Sequence, residues 1–425
     1  MLEALHRLAE RLRPRLYLWI ALAVAIPRLT FVAAAPARSI YGNAPGQLAV
    51  AKNIAEGRGY VDDTGHPDNY FNPGYPAFLA ACRFVSGDSL LAIKLAHVAL
   101  DVGTALLLCR LLLGVCSPLA ALLFSAAFGF HPLLIHLNNN VNDEPLLMFL
   151  TTASVVVLCE AVHRPTLGKF ALTGLLVALA TYTKGSAILL PFATAGALWL
   201  MRRQQLRHLL AYLCVYVAAL LPWAYRNYVT FGRFSFAVRG FGHALFFGSD
   251  PKIFANSDIK KQRAAGAELE RRMEAKGIKR PPPSDVFEYE KWCTRMALEN
   301  YKEMLSERPG DLARLLYFKA TRGLYATEDR PTANLMILAI QLPTIVFGLF
   351  GLWWLRKDRL SADISMVFSI YVAYFYLVNA AGEPIVRYFV PAIPLLLAAA
   401  AVGLLALLQS ESTADTPTTF GADCQ

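Results

Sequence analysis

The chain alternates between long apolar blocks and short polar segments, and this alternation predicts a bundle of membrane helices. Blocks such as LYLWIALAVAIPRLTFVAAA and PLLMFLTTASVVVLC come near the roughly 20 residues that a helix needs to cross a bilayer. Since backbone polar groups in lipid must pair within their own segment, serial apolar blocks form helices. We therefore predict an all-α polytopic protein with about ten transmembrane helices, over approximately 17–35, 90–113, 117–135, 144–161, 170–183, 186–201, 208–225, 332–355, 362–380 and 388–408.

Basic residues between the predicted spans set the orientation of the chain. With ten spans, four basic groups fall on one side of the membrane: Arg7, Arg11, Arg13 and Arg15; Arg164 and Lys169; Arg202, Arg203 and Arg207; Arg356, Lys357 and Arg359. The positive-inside rule makes that side cytoplasmic. Both termini are then expected in the cytoplasm of a bacterial cell, with the protein in the plasma (inner) membrane. The first apolar block has no small-residue cleavage site behind it and is expected to be a retained anchor.

Three parts follow from this topology. Residues 1–225 are predicted to form a transmembrane module that includes a first extracytoplasmic loop at 36–89. Residues 226–331 form a large extracytoplasmic loop with helical patterns such as KKQRAAGAELERRMEAKG, and residues 332–425 supply the last transmembrane helices and a short cytoplasmic tail.

Composition supports this class of protein. The 425 residues are 56% hydrophobic and only 17% charged, against about 25% charged in a typical soluble domain. The net charge of +10 comes from basic residues at helix ends, so nucleic acid is not an expected partner. Of seven cysteines, Cys82 and Cys293 are both expected outside the membrane, and whether they pair stays open.

Acids and cations meet at the predicted outer face. A carboxylate there can take a proton from an attacking hydroxyl, and a cation can neutralise a leaving phosphate, while the bundle holds a lipid tail. The acids are Asp62, Asp63, Asp68, Asp143, Glu144 and Glu383, and the cations are Lys184, Arg226, Arg239, Arg322 and Arg387.

Each of these residues also has a plain structural interpretation. Asp143 and Glu144 precede Pro145 and could simply cap a helix, or they could be catalytic or metal-binding acids. Lys184 could extend to the membrane surface or contact a phosphate. Arg226 follows Trp223 in an interfacial aromatic motif and could be an anchor or more than that.

Three further residues carry similar alternatives. Arg387 lies four residues after Glu383, a spacing for a surface salt bridge on a helix, but its planar fork also suits phosphate. Asp101 within the second span is either a hydrogen-bond hub or part of an ion path, and we favour the hub. Tyr75, in YFNPGYPAFLAA, either lines a lipid or sugar site or packs at the interface.

Seven segments, in order along residues 40–400, give the chain a family resemblance. They are LAVAKNIAEGRGYV, NPGYPAFLA, NDEPLLMFL, GLLVALATYTKGSAILLP, LPWAYRNYVTFGRFSF, RPGDLARLLYFKATRGLY and VRYFVPAIPLLL. Together they resemble the polytopic GT-C glycosyltransferases, in particular the bacterial group related to protein O-mannosyltransferases and to the aminoarabinose transferase of lipid A.

The resemblance implies an inverting transferase that uses a sugar on a polyprenyl phosphate at the outer side of the membrane. It implies a first-loop acid near the acceptor, later Lys and Arg residues on the phosphate, and a divalent metal in some members. Two positions depart from the family pattern. Asn43 stands where an Asp is usual, and its amide cannot act as a base; Lys184 stands where an Arg is frequent.

The prediction is therefore an integral-membrane glycosyltransferase that moves a hexosyl or pentosyl group from a polyprenyl-phosphate donor to a lipid, glycan or protein acceptor. Asp143 or Glu144 is the expected catalytic acid, with Asp62, Asp63 and Asp68 in reserve. Substrate-binding residues are Asn43, Tyr75, Lys184, Arg226, Arg322 and Arg387. The alternatives are a transporter or flippase for a lipid-linked or polar substrate, and a catalytically altered relative that binds a lipid carrier.

Overall fold

A computed structural model describes residues 2–35, 40, 42–202, 204–236, 240–254, 259–282, 285–327 and 331–414, and these are mainly helical. The first half of the chain contains α1 (Leu2–Leu12), α2 (Leu16–Ala34), α3 (Ala44–Ala55), α4 (Gly74–Ser86), α5 (Leu90–Val115), α6 (Pro118–Gly129), α7 (Pro132–Asn138), α8 (Glu144–His163), α9 (Leu167–Thr183), α10 (Leu190–Arg202) and α11 (Leu206–Phe231). The second half contains α12 (Phe241–Phe247), α13 (Pro251–Phe254), α14 (Ile259–Ala275), α15 (Val286–Glu307), α16 (Pro309–Thr321), α17 (Pro331–Trp354), α18 (Arg359–Ala381) and α19 (Ile393–Ala414). The described residues form no β-strand, apart from one isolated bridge between Val61 and Pro67.

The membrane helices confirm the predicted class. Among the described residues, eight helical segments are long and apolar enough to cross a bilayer. A ninth span would combine α6 and α7, which are bent by 61° where Pro132 disfavours helical conformation in the residue before it. The remaining predicted span is α9, which is apolar but only 17 residues long. The count of about ten is therefore approximate.

Small residues let the membrane helices pack closely. A Cβ atom added to Gly351 of α17 would lie 1.9 Å from the carbonyl oxygen of Ala399 on α19. One added to Gly403 of α19 would lie 2.3 Å from the carbonyl oxygen of Phe347. Close backbone approach at small residues is a main source of helix association in lipid, so α17 and α19 form a tight pair.

A buried ion pair joins the N-terminal helices. Arg28 of α2 donates from Nε to Oδ2 of Asp101 on α5 at 2.5 Å, and both side chains are buried. Asn138 donates to the same carboxylate oxygen at 3.0 Å, and Arg28 also donates to the carbonyl of Gly129 at 3.0 Å. Asp101 thus links α2, α5 and the end of α7. This arrangement favours the hub interpretation over an ion path.

The two outer loops fold onto the same end of the bundle. The first carries α3 and α4, and the second carries α12 to α16, which have a small core of their own around Phe246, Met273 and Trp292. α11 continues beyond residue 225 to Phe231, so the large loop starts after a longer helix than we expected. Cys82 and Cys293 are both free thiols.

Candidate active site

A cavity of about 1650 Å³ opens between the membrane helices and the outer loops. Four predicted site residues lie on its wall, namely Asn43, Asp143, Lys184 and Arg387. The same wall also carries apolar side chains that are mostly exposed. They include Ile188, Leu189, Phe234, Phe241 and Leu377. A cavity of this kind, largely apolar with a few convergent polar groups, is typical of a ligand site.

Two carboxylates and two cations form a cluster on the cavity floor. Oε1 of Glu144 accepts from Nζ of Lys184 at 2.7 Å and from Nε of Arg387 at 2.5 Å. Oδ1 of Asp143 accepts from the same Lys184 nitrogen at 3.0 Å. The Lys184 ammonium also lies 5.2 Å from the centre of the Tyr388 ring.

Three distant segments supply this cluster. Asp143 and Glu144 are at the start of α8, Lys184 is the extended residue between α9 and the short turn Gly185–Ala187, and Arg387 lies on the 3-10 turn Val386–Ala392. The Asp143 side chain makes no capping hydrogen bond to α8. Its carboxylate is directed to Lys184 instead, so simple capping does not explain this residue.

Burial separates the two acids. Glu144 is 1% exposed and does not line the cavity, whereas Asp143 lies on the cavity wall with 14% of its side chain exposed. Burial raises the pKa of Asp143 above its ordinary value, and Lys184 opposes this shift. A carboxylate with a raised pKa is a stronger proton acceptor. Asp143 is therefore placed to exchange a proton with a ligand, and Glu144 is placed to hold the two cations.

Asn43 lines the same cavity as this cluster. It is exposed at the start of α3, makes no capping hydrogen bond and lines the cavity together with Asp143. The first loop therefore does reach the cavity, but with an amide at the position where the resemblance implied an acid.

The other first-loop acids are directed elsewhere. Asp62 accepts hydrogen bonds from Thr64 and from the backbone of His66 within a turn, and neither Asp62 nor Asp63 lines the cavity. Asp68 accepts from the backbone N–H groups of Tyr70 and Phe71, and burial raises its pKa to about 6. It supports the cavity wall without lining it.

Three predicted binding residues have packing roles in the structure. Tyr75 is fully buried, with its hydroxyl 3.1 Å from Nε2 of His97. Arg226 donates to the carbonyl oxygens of Asp68 and Tyr60 at 2.9 and 3.1 Å, so it fastens the first loop to α11. Arg322 lies over the ring of Phe318, with 5.8 Å between guanidinium and ring centre. None of the three lines the cavity, and Arg239 is outside the described residues.

The structure adds residues that we did not predict. Lys291, Arg295 and Lys302 of α15 line the cavity from the loop side, as do Arg233 and Arg263. Lys291, Arg295 and Lys302 stand at i, i+4 and i+11 along the chain, a spacing that places them on one helix face. The sequence could not show that this face meets the cavity, because the loop is far from α8 and α18 along the chain.

No metal centre is formed by the described part of the chain. It contains no group of three or more His, Cys, Asp or Glu side chains placed to hold an ion. Asp143 and Glu144, the two acids of the cluster, are already paired with Lys184 and Arg387.

Comparison with known proteins agrees with this architecture. Residues 66–225 match the family described as dolichyl-phosphate-mannose-protein mannosyltransferase. The solved structure of the oligosaccharyltransferase AglB from Archaeoglobus fulgidus, in complex with an inhibitory peptide and a dolichol-phosphate, superposes on 97% of this chain with a TM-score of 0.55 and 12% identity. The chain therefore has a GT-C-like fold. The resemblance seen in the seven segments is confirmed.

Two other solved structures were also found to be similar to this chain. A second structure of the A. fulgidus enzyme, in complex with Zn and sulfate, matches 93% of the chain and 50% of its own length, with a TM-score of 0.54 and 12% identity. ArnT from Cupriavidus metallidurans bound to undecaprenyl phosphate matches 93% of the chain and 79% of its own length, with a TM-score of 0.42 and 12% identity. No curated protein matches the sequence.

The match extends over only part of the structural neighbour. It spans 53% of the length of AglB in the complex with the inhibitory peptide. The shared part is the membrane bundle with its outer loops, and the chain is accordingly an integral membrane protein.

Proposed function

We propose that the chain is an integral-membrane glycosyltransferase, which moves a hexosyl or pentosyl group from a polyprenyl-phosphate donor to an acceptor at the extracytoplasmic face, with inversion at the anomeric carbon. The observation that carries this proposal is the cluster of Asp143, Glu144, Lys184 and Arg387 on the floor of a large, mostly apolar cavity. One ligand with a charged head and an apolar tail fits both parts of that cavity.

Lys184 and Arg387 are the proposed phosphate contacts. Both line the cavity, and both form an ion pair with the buried Glu144, which holds them in position. Lys has three donors and Arg has five, more than one carboxylate oxygen can accept, and both side chains bind phosphate in other proteins. AglB was solved with a dolichol-phosphate, which supports a lipid phosphate as the ligand of this fold.

Asp143 is the proposed general base. In the transfer step, the acceptor hydroxyl oxygen attacks the anomeric carbon, and its proton passes to the Asp143 carboxylate. The bond between the anomeric carbon and the phosphate oxygen breaks, and the polyprenyl phosphate leaves with the electron pair. The cations then neutralise the charge that develops on the leaving phosphate. Direct displacement from the opposite face gives inversion.

We propose no step through a divalent metal. A cation beside Asp143 would have to displace Lys184, because the described residues offer no third acidic or imidazole ligand there. A related enzyme was solved with zinc, so metal dependence in this chain stays a prediction.

The proposal is tested by binding of undecaprenyl phosphate to the full chain in nanodiscs. Lys184→Gln and Arg387→Gln should each weaken binding by about 10- to 100-fold, since a hydrogen bond to a charged group contributes about 1.5–3 kcal/mol. Arg110→Gln is the matched control, because Arg110 is an exposed cation paired with Glu160 outside the cavity. Wild-type affinity in both cavity variants would contradict the proposal.

A lipid-carrier-binding protein without transferase activity is a second candidate, and Asn43 is the observation that favours it. An amide on the cavity wall cannot take a proton. If Asn43→Asp creates sugar transfer that the wild type lacks, with undecaprenyl phosphate affinity unchanged, this second candidate is correct. Transfer by the wild type from any of a panel of polyprenyl-phosphate sugars would exclude it.

A further inference from the structure

The loop side of the cavity is a basic wall that the proposed chemistry does not use. We define it by the described basic residues that line the cavity from the large loop: Arg233, Arg263, Lys291, Arg295 and Lys302. Of the acids that the structure describes in this loop, two line the cavity, Glu290 and Glu299. Five described basic side chains therefore face two described acidic ones. This surplus is separate from Lys184 and Arg387, which lie on the membrane side.

One helix face organises the basic wall. Lys291, Arg295 and Lys302 lie at i, i+4 and i+11 along α15, which places them along one side of the helix. The opposite side of α15 carries Trp292, Cys293 and Met296, which are buried in the core of the loop. The core thus fixes which side of α15 faces the cavity.

The acids near the wall neutralise only part of it, because Glu288 pairs with Arg233 and Lys291 at 2.9 Å each. Oε2 of Glu290 accepts from the backbone N–H groups of Gly242 and His243 at 2.8 and 3.3 Å. Arg263 and Arg295 form no ion pair with another described residue. Lys302 pairs with Glu299 only at 3.5 Å, on the exposed helix surface, and exposed pairs of this kind contribute little. Arg263, Arg295 and Lys302 are therefore available to a ligand.

Uncharged groups elsewhere on the cavity lining suit a carbohydrate. The amides of Asn43 and Asn72 line the cavity, and neither has a hydrogen-bond partner among the described residues. An amide offers both donors and an acceptor, which matches the hydroxyl groups of a sugar. A cavity lined by both cations and amides fits a ligand that is both acidic and hydroxylated.

We propose that the basic wall binds the acceptor, and that the acceptor is an acidic glycan carrying carboxylate or phosphate groups. The inference rests on the proposed function, since it assigns the second substrate of the same cavity. The acidic groups would contact Arg263, Arg295 and Lys302, and the reacting hydroxyl would lie towards Asp143. The field of the wall also attracts anionic ligands before they bind.

The test measures binding of a labelled galacturonic acid oligosaccharide to the full chain in nanodiscs of neutral lipid. A galactose oligosaccharide of equal length and an oligoglutamate peptide are the comparison probes. We expect the acidic oligosaccharide to bind best, with an affinity that falls as salt is raised. Arg295→Gln and Lys302→Gln should each weaken its binding by about three- to fivefold, and the triple variant with Arg263→Gln by more than tenfold.

Arg271→Gln is the matched control, because Arg271 is an exposed cation on α14 that does not line the cavity. Equal binding of the neutral oligosaccharide, tighter binding of the peptide, or an equal loss in the control would overturn the inference. Binding of undecaprenyl phosphate distinguishes failure of this inference from failure of the proposed function. It should depend on Lys184 and Arg387 and be unchanged in the triple variant. If the triple variant also loses the lipid phosphate, the wall belongs to the donor and the inference is wrong.

Discussion

At the scale of single residues, Asp143 and Glu144 show how burial assigns different tasks to adjacent carboxylates. Glu144 is buried and accepts hydrogen bonds from Lys184 and Arg387. Asp143 accepts one from Lys184 and lines the cavity. A buried charge requires partners, and Glu144 obtains them from segments that follow it by 40 and 243 residues. Asp143 keeps the accessibility that a base requires.

The proposed role of Asp143 as general base predicts that the transfer rate depends on pH. The base acts only when it is deprotonated, so kcat/KM should fall as pH decreases through the raised pKa of Asp143. Asp143→Asn should lower transfer by about 100-fold or more and remove this acidic limb, with undecaprenyl phosphate still bound. The measurement is a pH profile of kcat/KM for wild type and variant.

Glu144→Gln is the control for that profile. It should slow transfer by releasing Lys184 and Arg387 while keeping the acidic limb, because Glu144 does not exchange a proton with the acceptor. An unchanged rate in Asp143→Asn, or loss of the limb in Glu144→Gln, would reverse the two roles.

At the scale of elements, the position of Arg387 depends on helix packing outside the site. α18 and α19 flank the turn that carries Arg387, and α19 is held against α17 by the close approach at Gly351 and Gly403. Lys319 of α16 adds a second fixation, since it donates to the carbonyl oxygens of Ala380, Ala381 and Gly382 at 2.7–2.9 Å. The end of α18 is therefore fixed next to the cavity.

Gly351→Ala should destabilise the protein although Ala favours helix. The added Cβ would lie 1.9 Å from the Ala399 carbonyl oxygen, and overpacking of this kind costs about 1–3 kcal/mol. Gly196→Ala in α10 is the matched control, because nothing lies within 4 Å of a Cβ there, and it should be neutral or gain about 0.5–1 kcal/mol. Thermal unfolding in detergent compares them. A melting temperature of Gly351→Ala at or above that of wild type would exclude the tight α17–α19 contact.

At the scale of the whole molecule, the two outer loops close one end of the bundle and create the cavity. Its wall combines the first loop, the α9–α10 connection, the large loop and the turn after α18. The basic residues that we predict to be cytoplasmic lie at the opposite ends of these helices. Arg359, for example, is at the start of α18, whereas the cavity is near its end. The positive-inside rule then predicts that the cavity faces the extracytoplasmic side.

Cysteine labelling tests this orientation in a variant without native cysteines. Lys302→Cys on α15 should react with a membrane-impermeant maleimide added to intact spheroplasts. Arg359→Cys at the start of α18 should react only after permeabilisation. Both residues are exposed, so accessibility differs only by side of the membrane. The reverse pattern would place the cavity and the proposed chemistry in the cytoplasm.

Local pattern was enough for much of the fold and for part of the site. Each predicted span corresponds to a helix or a bent helix pair, because the bilayer requires long apolar segments with internal hydrogen bonds. Four predicted site residues reach the cavity. Tyr75, Arg226 and Arg322 do not, since a residue type and a loop position cannot show whether a side chain faces a ligand or a neighbouring helix.

The sequence by itself determined an all-helical membrane protein, its spans, the predicted orientation and the GT-C resemblance, since these depend on hydropathy, charge and order along the chain. Only the tertiary structure decided that Glu144 is buried and Asp143 accessible, that Asn43 lies on the cavity wall, and that α15 turns a basic face towards the cavity. Those features arise from contacts between segments that are tens to hundreds of residues apart. Electrostatic and hydrogen-bonding interactions act over a few ångströms in space, so spacing along the chain could not reveal them.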